Sequence, residues 1–169
     1  MEQRYVIAIL VDNAPGILTR VASMFNRRGF NIDTLTVAET EDHRYSRITI
    51  SLTGDEAIAR QIIKQLKKLY NVKEVKVMES QQSVNRELAL IKVRNTPETR
   101  QDVMTAVEIF RCKIVDFSTN TLCIEITGET AKIEAFIKVV EPYDILEMCR
   151  TGVVAIERGC SFLNSETTL

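Results

Sequence analysis

Residues 12–32 read DNAPGILTRVASMFNRRGFNI. Within them a turn signal, Asn13-Ala14-Pro15-Gly16, abuts an apolar pattern at three- and four-residue steps: Ile17, Leu18, Val21, Met24 and Phe25. That spacing puts all five on one face of a helix, with Arg20, Arg27 and Arg28 off the stripe. Gly29 stands where a helix turns left-handed as it ends, and Gly29-Phe30-Asn31 closes the helix as the first turn opened it. On the N-terminal side lies the aliphatic run Tyr5–Val11, short and β-branched, which predicts a strand covered on at least one face. On the C-terminal side Phe30–Glu39 alternates but slips near Thr34-Leu35, which predicts a bulge or bend there. The unit is therefore strand, helix, strand, with the helix bracketed by two glycines and two asparagines.

The pattern continues outward. Thr40–Arg44 is a polar hairpin turn. Ser46–Thr53 alternates strictly, with Ile48, Ile50 and Leu52 on one side and Arg47, Thr49 and Ser51 on the other, as in a half-buried antiparallel strand. Gly54-Asp55 opens a helix over 56–69, and Asn71–Val77 alternates again. The first half reads βαββαβ. After the polar run ESQQSVN (79–85) the order repeats: a strand over 86–93, then a helix to Phe110 with Thr96 as N-cap and Pro97 at its first position. Strands Cys112–Phe117 and Leu122–Thr127 follow, then a helix from Gly128-Glu129-Thr130 to Val140. Either Ile145–Met148 or Val153–Ile156 supplies the last strand. The fold class is α+β: two ferredoxin-like βαββαβ domains, 1–79 and 86–169, joined by a linker at 80–85. Many unrelated functions use that plan, so the site has to decide.

Composition removes several classes. The chain has 169 residues, 45% hydrophobic and 27% charged, with a net charge of −1 and a pI near 6.0, which is not the balance of a nucleic-acid binder. No apolar run approaches the ~18 residues of a membrane span. Met1-Glu2-Gln3-Arg4 leads straight into a strand, without a signal peptide's basic and apolar segments, so the expected compartment is the cytoplasm. Cys112, Cys123, Cys149 and Cys160 lack metal-site spacing, and the one histidine, His43, sits in a polar turn beside Glu41 and Asp42. They are read as incidental thiols and a solvated imidazole. No phosphate loop and no nucleophile–base pair is visible, so no metal, cofactor or catalytic residue is assigned to this chain.

What remains is the bracketed helix. Its start offers free backbone N–H groups and partial positive charge, suited to a small carboxylate. Gly16 permits close approach to the backbone. Asp12 and Asn13 carry oxygens that can receive an ammonium, and Ile17, Leu18 and Ile32 supply an aliphatic wall. Those features describe a small amino-acid site. They equally describe a structural turn in which Asp12 or Asn13 caps the helix, and spacing alone leaves both readings open.

The stretch LVDNAPGILTRVASMFNRRGFNIDTLTVAET (10–40) resembles the opening motif of the small, regulatory subunits of acetolactate synthase (acetohydroxyacid synthase). The resemblance continues through SRITI (46–50), KQLKKLYNVKEV (64–75), VNRELALIKV (84–93), EIFRCKIVDFS (108–118) and RTGVVAIERG (150–159), so it spans essentially the whole chain. It implies that the first domain is an ACT domain, an amino-acid sensor, and that the second is a ferredoxin-like domain that helps dimerisation. It implies a homodimer with a branched-chain amino acid, usually valine, held at the ACT interface. There Asn13, Ala14, Pro15, Gly16, Ile17 and Leu18 of one chain would face Asn31 and Ile32 of the other. It implies a non-catalytic protein that activates a large catalytic subunit carrying thiamine diphosphate, Mg²⁺ and FAD and confers feedback inhibition on it. Ser23, Cys112 and Ala155 stand where this family often has glycine, and Ser23 lies close enough to the site to alter effector affinity. The competing class is a free-standing ACT module acting on another enzyme or on a transcription factor.

Overall fold

The computed structural model describes residues 3–163, which form two compact units. One takes the chain as far as Asn85 together with the stretch from Val153 onward; the other is Arg86–Gly152. The expected division at 80–85 assigned everything after it to the second domain, whereas the described residues from Val153 pack with the first unit.

The first unit runs β1 (Gln3–Asp12), α1 (Ile17–Arg27), β2 (Thr34–Glu39), β3 (Tyr45–Gly54), α2 (Glu56–Leu66) and β4 (Val72–Val77). Its sheet is antiparallel in the order β2-β3-β1-β4, the ferredoxin-like arrangement. Alternation decides the faces. Ile7 pairs with Ile50 and Ile9 with Ile48, which turns both pairs toward the helices. There they meet Val21, Met24 and Phe25 of α1 and Ala59, Ile62 and Leu66 of α2 in one buried core. Asp55 caps α2 by accepting from the Ile58 N–H at 2.8 Å. That helix ends at Leu66, three residues short of the expected 69, while Leu69 still packs on the core.

Of the bulge or bend expected near Thr34-Leu35, the structure has the bend: it falls at Asp33, and β2 then runs in unbroken register on β3 from Thr34 to Glu39. The outer face of β3 is drier than alternation implies: Thr49 and Ser51 are buried. Ser51 shares a 2.6 Å hydrogen bond with Thr34 and accepts one from Arg4 at 3.1 Å. Nearby, Val153, Ala155 and Leu163 cover Ala8, Leu10 and Met78. The covering stretch contains a short strand, β9 (Val154–Glu157), tied down by Arg47 donating to the Ala155 carbonyl and by Lys76 paired with Glu157 at 2.7 Å.

The second unit repeats the plan with β5 (Ser83–Arg94), α3 (Arg100–Ile109), β6 (Lys113–Phe117), β7 (Thr121–Gly128), α4 (Thr130–Val140) and β8 (Ile145–Arg150), in strand order β6-β7-β5-β8. Of the two candidates for the last strand, β8 completes this sheet, and β9 belongs to the first unit. The core joins Ile91, Val93, Leu122 and Ile124 to Val103, Ile133 and Phe136. Helix α3 starts at Arg100 rather than Pro97, because residues 97–99 form a turn in which the Thr96 hydroxyl accepts from the Thr99 N–H at 3.3 Å. One charge lies inside this unit. The Glu87 carboxylate is fully buried and accepts from Arg150 at 2.7 and 3.1 Å and from Thr130 at 3.2 Å, while Arg150 also donates to Glu134 at 2.6 Å. The Glu87 hydrogen bonds, and then those of Glu134, hold the Arg150 guanidinium firmly protonated.

Candidate functional site

The turn before α1 is built by the backbone. The Ala14 N–H donates to the Asp12 carbonyl at 3.0 Å, and Gly16 takes the left-handed conformation, φ +83°, that a residue with a β-carbon resists. Helix bonding begins with the Arg20 N–H on the Gly16 carbonyl at 3.0 Å, and no side chain caps the start. The capping reading for Asp12 and Asn13 is therefore not what the structure adopts. A β-carbon at Gly16 would have nothing within 4 Å, so the space over the helix start is open.

Asp12 is committed elsewhere: it pairs with Lys73 at 3.0 Å, raising the lysine's pKa, and accepts from Asn71 at 3.1 Å. Its oxygens are thus a less apt ammonium receptor than the sequence suggests. Asn13 is held by three contacts. Its N–H donates to the Arg44 carbonyl at 2.7 Å, and its side-chain Nδ2 donates to Glu39 Oε1 at 2.9 Å and to the His43 carbonyl at 3.0 Å. The exposed His43 ring meets the other Glu39 oxygen at 2.9 Å. The histidine is solvated as expected, but its turn also serves as scaffold for Asn13. Neither Glu39 nor His43 is marked as part of the site by spacing; only the hairpin that folds β2–β3 beside the α1 turn brings them there.

Asn13, Ala14, Pro15, Gly16, Ile17 and Leu18 lie together. Asn31 and Ile32 do not join them: α1 has 11 residues, so the two brackets are separated by its length of ~16 Å. Asn31 is exposed and donates to Asp33 at 3.1 Å, while Ile32 leans on the core. Between the brackets runs a shallow open groove lined by Leu18, Thr19, Ala22, Ser23 and Asn26 along α1 and by Leu35 of β2. Leu18, Leu35 and Val37 are 43%, 38% and 41% exposed, and β2 is an edge strand. An apolar flank beside an unpaired edge is the kind of surface a soluble chain ordinarily covers.

Elsewhere the residues carry little chemistry. The four cysteines are free, burial pushes the Cys112 thiol up, and no cluster among the described residues could hold a metal ion. No helix among them is long and apolar enough to cross a membrane.

Comparison with known proteins adds the following. Residues 7–74 match the family model for the acetohydroxyacid synthase small subunit-like ACT domain, and residues 86–159 match that for the small subunit of acetolactate synthase. The acetolactate synthase small subunit of Mycolicibacterium smegmatis is 48% identical over 92% of this chain and 91% of its own. A probable acetolactate synthase small subunit of Archaeoglobus fulgidus is 48% identical, with 92% and 98% covered. The crystal structure of the acetolactate synthase small subunit from Thermotoga maritima superposes with a TM-score of 0.86 at 42% identity, over 94% of this chain and 99% of that one.

Proposed function

This chain belongs to the acetolactate synthase small-subunit family, and on that premise we propose that it is the non-catalytic regulatory subunit of that enzyme. It binds the large catalytic subunit in the cytoplasm and raises its activity there. The large subunit carries thiamine diphosphate, Mg²⁺ and FAD. Feedback inhibition follows from a branched-chain amino acid, valine first among them, bound between the ACT domains of a homodimer.

The observation that carries the site is the separation of its two brackets along α1. One chain cannot close both on a single small molecule. A twofold axis across the α1–β2 flank would set the Asn13 end of each helix against the Asn31 end of its partner, giving two equivalent sites and covering Leu18, Leu35 and Val37. The ACT domain is assigned to the first unit, to whose sheet 153–163 return, and the second domain to the unit Arg86–Gly152. A ligand bridging two chains shifts activity only by binding one dimer arrangement more tightly than the other.

Reconstitution with the large subunit tests this. Acetolactate formation should rise on adding the chain and fall on adding valine. Asn13→Ala and Asn31→Ala should each keep the activation and lose most of the inhibition. A catalytic subunit indifferent to the chain would refute the regulatory reading, and full valine sensitivity in both variants would refute the site.

A further inference from the structure

We propose that Glu39 is a positioning residue that fixes the Asn13 side-chain amide with its oxygen turned toward the effector, so that the site selects an α-ammonium group over a 2-oxo group on the same carbon skeleton. The proposal rests on the effector-site reading above.

An asparagine amide has two N–H donors on one atom and an acceptor on the other. Both donors of Asn13 are committed, one to Glu39 Oε1 at 2.9 Å and one to the His43 carbonyl at 3.0 Å. Neither partner can donate: one is a carbonyl and the other a carboxylate. Hydrogen bonds from His43 and then from Asn13 hold that carboxyl below its usual range, so it is ionised wherever the protein is folded near neutrality. Rotating the amide by half a turn would bring Oδ1 against two acceptors. The orientation is thus set by chemistry rather than by packing, which matters for a residue as exposed as Asn13.

With Nδ2 occupied, Oδ1 is the polar atom the Asn13 side chain has left to offer, and it can only accept. An α-ammonium group donates to it. The carbonyl of a 2-oxo acid meets it as acceptor against acceptor, and a site left with an unmatched polar atom discriminates strongly. The ligand's carboxylate then falls to the open start of α1, where the backbone N–H groups point. The sensor therefore reads the amino acid and ignores its oxo counterpart.

The test is a double-mutant cycle on the full chain, with binding of L-valine and of 3-methyl-2-oxobutanoate measured by calorimetry. Wild type should bind valine and not the oxo acid. Glu39→Ala should weaken valine about three- to tenfold, as for the loss of one partly solvated hydrogen bond. Glu39→Gln keeps an acceptor in place and should restore most of that loss. The Glu39→Ala, Asn13→Ala pair should be no weaker than Asn13→Ala alone. If Glu39→Gln is as weak as Glu39→Ala, or if the two losses add, Glu39 acts by its charge on the ligand and the positioning role is overturned. If Asn13→Ala binds valine as wild type does, the effector site itself falls and the proposal with it.

Discussion

Gly16→Ala separates the backbone of the site from its function. Gly16 holds φ +83° and ψ −4°, and an added β-carbon would meet nothing within 4 Å. There is no clash to relieve, so the cost is conformational alone. The left-handed penalty of about 1–2 kcal/mol is partly offset because alanine also restricts the unfolded chain, leaving about 1 kcal/mol net. For a chain of this size that is a fall of about 2–4 °C in Tm. The new methyl would stand in the open space over the start of α1, where the effector carboxylate is placed, so valine inhibition of the reconstituted enzyme should weaken by far more than the stability change accounts for. Gly159→Ala is the control: φ there is +71° and the surroundings are equally open, so it should cost similar stability and leave the valine response intact. The assays are a thermal melt of the chain and a valine titration of acetolactate formation. A Tm loss above 10 °C would refute the open-space argument. An unaltered valine response would refute the placement of the carboxylate.

The other predictions concern the frame. Glu87→Ala leaves a guanidinium that is three-quarters buried with only the half-exposed Glu134, and should cost about 2–4 kcal/mol. Glu134→Ala should cost no more than about 1 kcal/mol, and equal losses by chemical denaturation would contradict the burial asymmetry. Ala155→Leu overfills the contact with Ala8 and Leu10 and should destabilise by about 1–3 kcal/mol, with faster proteolysis near residue 158; a neutral result would mean that the C-terminal stretch is not packed on the first sheet. The Asp42 carboxyl is lowered from 3.8 to about 2 by hydrogen bonds from the Arg44 side chain and N–H. A depressed carboxyl contributes stability above its unfolded pKa and loses it as the pH falls through the folded value, so this pair weakens between about pH 4 and 2. Carboxyl titration by NMR should show it, and Arg44→Ala should return the midpoint toward 3.8.

The sequence made the repeated βαββαβ order readable because each strand and helix carries its own period, and both sheets have the ferredoxin-like strand order that goes with it. Hydrophobic spacing could not tell which face of the first sheet stays open. Thr49 and Ser51 look solvent-facing beside Arg47, yet they are buried: Ser51 bonds to Thr34 and Arg4, and the sheet face near both is covered by residues over a hundred positions away. One helix start is not legible because local chemistry offers two registers: Thr96-Pro97 looks like a cap, but Thr96 bonds to Thr99 and the helix waits until Arg100.

At the site the same limit takes a sharper form. The turn residues Asn13 to Leu18 are contiguous and so were visible as a group. What orients Asn13 is not contiguous with it: Glu39 closes β2 and His43 lies in the following turn, and both reach Asn13 only because β1, β2 and β3 pair in the order they do. The register places Asp12 opposite Tyr45 and Glu39 opposite Ser46, which brings the three segments to one corner. A one-residue slip of β2 against β3 would turn the Glu39 side chain to the other face of the sheet, away from Asn13. The setting of Asn13 is thus a property of strand register as much as of motif, and the turn alone would not carry it into a sheet of different order.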